Sequence, residues 1–227
     1  MEKYVNDLKV LFQQHTIIEN IEPMRDYMRG QFDYFGIKTP LRKELTKQFV
    51  TEYGYPTVEE MPEFMQLIWD EPYRELHHVS INILVRFIEK MPEESIELYE
   101  FLLTNHSSWD TVDMLANKVI GGHLKRFPHL IPSVNKHFLE HDDMWLNRTA
   151  LLFQLKYKKD MDTNLLTLNI NYLMHRKEFF VRKAIGWVLR EYSRTDASFI
   201  LNFVANHDLA ALSKKEALRL INKNKVF

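Results

Sequence analysis

Apolar side chains return three and four residues apart along almost the whole of this chain, and no β-branched run alternates for the length of a strand. Stripes of that kind are buried by packing helix on helix, so the fold class expected is all-α. Amphipathic helices are expected over 2–14, 22–34, 40–53, 58–69, 72–90, 93–104, 108–125, 130–140, 144–158, 162–175, 178–193, 196–206 and 213–223. Pro40, Pro72 and Pro92 stand near the starts of these segments, where a missing N–H costs nothing. Ser107 with Asp110, and Ser213 with Glu216, have the spacing of a capping box. Only 6 glycines are present in 227 residues, which speaks against turn-rich β architectures and against a glycine-rich phosphate loop.

A weak internal repeat runs through the helical pattern. An apolar residue, then Arg or Lys three later and Ala five later, occurs at Trp145–Arg148–Ala150, Phe179–Arg182–Ala184 and Leu212–Lys215–Ala217. The same stride backwards from Trp145 reaches Trp109 and then Tyr73. Helix pairs recurring every 33–37 residues are the mark of an α-solenoid, in which each pair buries its face against its neighbours. The expectation is one domain over 1–227, a right-handed α-solenoid with an extended concave surface. An irregular helical bundle is the competing architecture.

The formal net charge of −1 conceals an uneven distribution. Residues 1–143 carry 15 Lys and Arg against 24 Asp and Glu, and residues 144–227 carry 15 against 7. An acidic partner would therefore meet the second half. The absence of cysteine excludes disulfides, thiolate metal sites and cysteine nucleophiles. No basic-then-apolar leader and no apolar run of spanning length is visible, so a soluble protein of the bacterial cytoplasm, without a membrane partner, is expected. His137 and His141 share a helix face but lack a third ligand, and His77–His78 read as surface residues. No metal and no cofactor is expected.

Chemistry concentrates in three helices. In the first, Trp109 and Asp113 lie one turn apart, and Asp113 borders the apolar stripe of Val112, Ala116, Val119 and Ile120. Asp113 is either a core aspartate bonded to the adjacent helix or an active-site carboxylate. In the second, Arg148 is ringed at helical spacing by Met144, Trp145, Leu151, Leu152 and Leu155, a setting in which arginine is rarely unpaired. Equivalent helices of adjacent repeats lie side by side in a solenoid, which would bring Arg148 to Asp113. In the third, Phe180, Lys183, Trp187, Arg190 and Arg194 form an aromatic and basic stripe beside an apolar ridge. Trp187 suits core packing or contact with sugar faces and phosphates. Gly186, in mid-helix, points to close backbone approach. Further cations gather at Lys156, Lys158 and Lys159, at Arg176 and Lys177, and at Lys214, Lys215 and Arg219.

The stretches S-W-D-T-V-D, W-L-N-R-T-A-L-L-F-Q-L-K-Y-K, E-F-F-V-R-K-A-I-G-W-V-L-R-E-Y and L-S-K-K-E-A together resemble the AlkD family of DNA alkylation repair glycosylases. The N-terminal E-P-M-R-D-Y-M and F-G-I-K-T-P stretches extend that resemblance over essentially the whole chain. It implies HEAT-like helical repeats whose concave face holds duplex DNA. It also implies excision of positively charged alkylpurines, N3-methyladenine and N7-methylguanine, by hydrolysis of the N-glycosidic bond without base flipping. On that resemblance Asp113 is the catalytic carboxylate, Trp109 and Trp187 flank the deoxyribose, and Arg148 contacts the same site. Tyr27, Lys156, Lys158, Lys183, Arg190, Arg194, Lys214 and Lys215 are the expected DNA-binding residues of a monomer. Ser108 stands where many members carry an aromatic, and Lys38 where a neutral amide is familiar.

The chemistry agrees with these roles. Glycosidic hydrolysis passes through an oxocarbenium-like sugar, which a carboxylate beneath it stabilises. A cationic alkylpurine leaves as a neutral base, so no general acid is required. No lysine is marked out as a Schiff-base nucleophile, and lyase activity is not expected. Two other classes fit the helical pattern: a non-catalytic solenoid binding distorted or branched DNA, and a protein-interaction scaffold. The Asp113, Arg148 and Trp187 set argues against the first, since pure binding needs no apolar-face aspartate, and for the second the uneven charge would be incidental.

Overall fold

A computed structural model describes residues 1–224. It is all-helical, and among those residues the one β feature is an isolated bridge between Asp33 and Tyr73. The chain divides into two compact units, Met1–Pro92 and Glu93–Phe227.

The first unit contains α1 (Glu2–Gln14), α2 (Ile18–Tyr27), α3 (Thr39–Tyr53), α4 (Met61–Trp69) and α5 (Arg74–Phe87). Leu8 and Phe12 of α1, Phe49 of α3, and Phe64, Met65 and Trp69 of α4 build its core, with Tyr4 edge-on to Phe49 and Phe64. The helix expected over 22–34 is instead Ile18–Tyr27. Its periodicity was overruled at the C-terminus, where Arg29 takes φ +56° and the Gly30 N–H bonds back to the Arg25 carbonyl, a left-handed stop. The connection that follows is fixed by groups at the start of α5. The Ile37 N–H donates to Glu75 Oε1 over 3.0 Å, and Phe35 stacks on Tyr73 with centroids 3.9 Å apart. Burial pushes the Glu75 carboxyl above its usual range. His77, expected at the surface, is fully buried: its ring stacks on Trp69, and Nε2 lies 2.9 Å from the Glu71 carbonyl oxygen.

The second unit opens with a 3₁₀ turn, Glu93–Ser95, into α6 (Ile96–Thr104). Then come α7 (Trp109–Met114), a π-helical turn (Leu115–Ile120) and α8 (Gly121–Arg126) where one helix was expected. The remaining helices are α9 (Ile131–Glu140), α10 (Met144–Leu152), α11 (Thr163–Leu173), α12 (Phe179–Tyr192), α13 (Ala197–Asn206) and α14 (Ala211–Asn224). Aspartates cap three of them: Asp143 accepts from the Trp145 N–H, Asp162 from Asn164 and Leu165, and Asp196 from Phe199.

Two capping expectations are overturned. Ser107 bonds to the Leu103 carbonyl, and Ser108 occupies the N-cap of α7 without a side-chain bond. Ser213 lies inside α14, donating across to the Arg182 carbonyl, because α14 starts earlier than expected. The helix expected over 144–158 ends at Leu152. There Gln154 exchanges hydrogen bonds with the Asp162 backbone and closes a loop that competes with further helix.

The repeat read from sequence is the packing rule of this unit. α10 lies between α7 and α12, and α12 between α10 and α14. Bonds between consecutive repeats recur at nearly constant separation: Arg148 to Asp113 at 35 residues, Asn135 to Asn169 at 34, Tyr157 to Gly121 at 36 and Lys183 to Glu216 at 33. Helix pairs stacked with a fixed offset are the α-solenoid arrangement.

Gly186 shows how closely those helices meet. A Cβ there would lie 2.5 Å from Glu216 Cβ and 2.8 Å from the Ser213 carbonyl oxygen. Gly to Ala in a helix interior normally gains about 1 kcal/mol. At Gly186 it is expected to lose about 1–3 kcal/mol, because backbone of α14 has to move. Urea unfolding of Gly186→Ala checks that sign.

Candidate active site

Asp113 sits in the second turn of α7, one turn after Trp109, so the two side chains leave the same face of the helix. Arg148, near the middle of α10, reaches it across the repeat. Nε lies 2.7 Å from Oδ1 and Nη2 lies 3.0 Å from Oδ2, a two-pronged pairing that fixes the plane of the carboxylate. Nη1 donates to the Phe180 carbonyl at the start of α12. The guanidinium carbon is 5.9 Å from the Phe180 ring centroid and 6.0 Å from that of Trp187. Arg148 is thus held by three consecutive repeats, and the expectation that it would meet Asp113 is met.

The two partners differ in exposure, and the difference bears on chemistry. The Arg148 side chain is 5% exposed and the Asp113 side chain 16%. The arginine is buried, and the Asp113 side chain keeps part of its surface exposed to solvent. A purely structural pair needs no such exposure. Burial pushes the Asp113 carboxyl above the usual aspartate range; the Arg148 bonds and charge pull it back, and Asp110 adds a smaller upward push.

Backbone features that the sequence did not reveal support this placement. The π-helical turn begins two residues after Asp113, and the Asn117 side-chain amide donates to the Asp113 carbonyl within it. π-turns inside α-helices rotate the flanking side chains and gather at functional sites. One turn on, Gly121 lets the Phe153 carbonyl approach so closely that any Cβ would overlap it, and Tyr157 donates to the Gly121 carbonyl over 2.7 Å. Helix α7–α8 is therefore registered on the α10 region at both ends. No periodicity signals a π-turn, since its side chains keep an apolar stripe.

The expected DNA-binding cations are found in two states, paired with a glutamate or exposed. Lys156 pairs with Glu191, as does Arg194, and Lys183 and Arg190 share Glu216. Lys158 lies in the 3₁₀ turn after α10 with φ +56°, and Lys214 and Lys215 are exposed in the first turn of α14. Tyr27 ends α2 in the first unit and is exposed. Trp145, which opens one copy of the repeat pattern and neighbours Arg148, packs on Phe180 with centroids 5.0 Å apart. Among the described residues, no group of three His, Asp or Glu side chains is placed to hold a metal ion. No helix among them is long and apolar enough to cross a membrane.

The family model of the DNA alkylation repair enzymes matches residues 8–221. The chain belongs to that family. Its role accordingly lies in the repair of alkylated DNA, with DNA as its partner. Among solved structures, a predicted DNA alkylation repair enzyme from Enterococcus faecalis aligns with a TM-score of 0.82 at 28% identity, over 90% of this chain and 96% of that one. No curated protein matches the chain at a significant level.

Proposed function

We propose that this repair enzyme is a monofunctional DNA glycosylase of the AlkD type, one HEAT-like repeat domain over 1–227. It hydrolyses the N-glycosidic bond of N3-methyladenine and N7-methylguanine in duplex DNA, without base flipping, as the first step of base excision repair. The observation that carries this reading is the Asp113 carboxylate, fixed by both prongs of Arg148 on a side chain that stays partly exposed to solvent.

In the proposed reaction, Asp113 lies against the deoxyribose as the glycosidic bond lengthens. Positive charge grows on the sugar ring, and a preoriented carboxylate in a partly dry site stabilises it strongly. The same group orients the water that attacks the anomeric carbon, and the proton that this water gives up passes to solvent. The base takes the bonding electron pair, loses its own positive charge and departs neutral, so the site needs one carboxylate rather than the acid and base pair of a sugar hydrolase. Arg148 keeps both carboxylate oxygens in one plane. Trp109 and Trp187 present indole faces to the sugar, whose developing charge they favour through their π-electrons. Lys156, Lys158, Lys183, Arg190, Arg194, Lys214 and Lys215, with Tyr27, carry the sequence-independent hold on the backbone, since phosphate contacts position and do not specify. The reaction draws on no cofactor.

The pH dependence of base release tests this reading. Burial places the Asp113 ionisation above the ordinary aspartate value of about 3.9, and only the ionised form is active. Enzyme-dependent release of N7-methylguanine, corrected for spontaneous loss, is expected to rise through a single acid limb above that value and then stay flat through neutral pH. A rate that falls as neutral pH is approached would mean that a protonated group drives departure of the base, against the proposal.

A further inference from the structure

Four of the cations that the proposed reading sets against DNA phosphates, Lys156, Lys183, Arg190 and Arg194, are already paired with glutamates. Lys156 Nζ lies 2.9 Å from Glu191 Oε1, and Arg194 Nε lies 3.5 Å from the other oxygen of that carboxylate. The pattern is repeated on the neighbouring helix. Glu216 of α14 receives Lys183 on Oε1, over 2.8 Å, and Arg190 on Oε2. Each glutamate is thus a carboxylate between two cations, with both oxygens engaged. Lys156, Lys183 and Arg190 donate hydrogen bonds and Arg194 makes a looser ionic contact, the kinds of contact a DNA phosphate offers to the same side chains.

The two glutamates are not equally replaceable. Lys156 is 57% exposed, and an exposed ion pair is worth only about 0–1 kcal/mol, so an arriving phosphate can take its place. Glu216 is 14% exposed and packs directly over Gly186. Lys183 and Arg190 lie four residues before and three after Trp187, and Glu216 ties them together across that span. The Lys183 and Arg190 contacts hold its carboxyl below the usual range, which keeps it ionised as a permanent counter-charge.

We propose that Glu191 and Glu216 are internal stand-ins for DNA phosphates that limit how tightly the second unit holds undamaged duplex: Glu191 is exchanged on binding, and Glu216 stays in place. The inference rests on the proposed DNA-binding face. Its logic is one of specificity. Backbone affinity is the same for damaged and intact DNA, so every phosphate contact strengthened on intact duplex lengthens the search without aiding recognition of the lesion. A carboxylate already seated on a cation subtracts from that term and leaves the chemistry at Asp113 untouched.

The test measures binding of an undamaged duplex across a salt series, by fluorescence anisotropy, for wild type, Glu191→Gln and Lys156→Ala. The Glu191 side chain is 26% exposed, and the amide keeps its shape. Glu191→Gln is expected to bind about three- to tenfold tighter at low salt, with a salt dependence steeper by about one phosphate contact. Lys156→Ala is expected to bind more weakly. Glu191→Gln binding no tighter than wild type, while Lys156→Ala weakens binding, would overturn the stand-in role and leave the DNA face intact. Lys156→Ala with unchanged binding would remove that face, and the stand-in role with it.

Discussion

Replacing Arg148 by alanine is expected to cost about 2–4 kcal/mol of stability and to lower base release by about 10²-fold. The stability loss follows from what the truncation strands. The Asp113 carboxylate loses two bonds and the Phe180 carbonyl loses one, all in a site where the arginine itself is 5% exposed. Removing one member of a buried ion pair typically costs about 3–5 kcal/mol, and the partial exposure of Asp113 reduces that somewhat. The rate loss has a separate origin. A carboxylate freed from its two-pronged clamp can rotate, and a misplacement of about 1 Å at the reacting centre is enough for a 10²-fold effect. Arg148→Lys separates the two contributions. It returns the charge but not the planar fork, so it should recover part of the stability and little of the rate. In both variants the acid limb of the pH profile should move up, because Arg148 is what pulls the Asp113 ionisation down. Chemical denaturation and base release on the same preparations measure these effects side by side.

The helical pattern made most of the architecture legible before any coordinates. α1, α3, α9, α11, α12 and α13 lie close to where the periodicity put them, because each buries one stripe and ends at a polar break. The stride between repeats was legible for the same reason: residues at equivalent positions, such as Asp113 and Arg148, pair across neighbouring helices. What escaped the sequence was set by backbone conformation or by distant partners. α2 was misplaced because its end depends on a left-handed Arg29, which leaves no mark on apolar spacing. His77 was taken for a surface residue because adjacent histidines look polar, while its burial depends on Trp69 and on main-chain acceptors. Ser213 and Glu216 had the spacing of a cap yet serve α12, one through the Arg182 carbonyl and the other through Lys183 and Arg190. Glu216 lies 33 residues beyond Lys183, so the repeat spacing itself pointed to that pairing.

Charge follows the same division. The cationic second half was visible as a count, but a count does not say which cations are already paired. Lys183 and Arg190 are bound to a carboxylate, whereas Lys214 and Lys215 stand exposed at the start of α14. The expected duplex therefore rests on cations of unequal availability, a feature of side-chain geometry that composition averages away.

Asp113→Asn is the change with the largest expected effect on activity. Asparagine keeps the size of the side chain and leaves one oxygen to accept from Arg148, so the fold should persist. What disappears is the negative charge that faces the growing cation on the sugar. Loss of a preorganised electrostatic partner of this kind costs about 10²–10³ in rate, and a full charge lies at the upper end of that range or beyond it. The decisive measurement uses a duplex carrying a single N7-methylguanine, incubated with wild type and with Asp113→Asn, and counts free base released. Wild type should release N7-methylguanine and leave an unbroken strand that is cut only on alkali treatment, while the variant falls to nearly the spontaneous rate. Release by Asp113→Asn within about twofold of wild type would contradict the account.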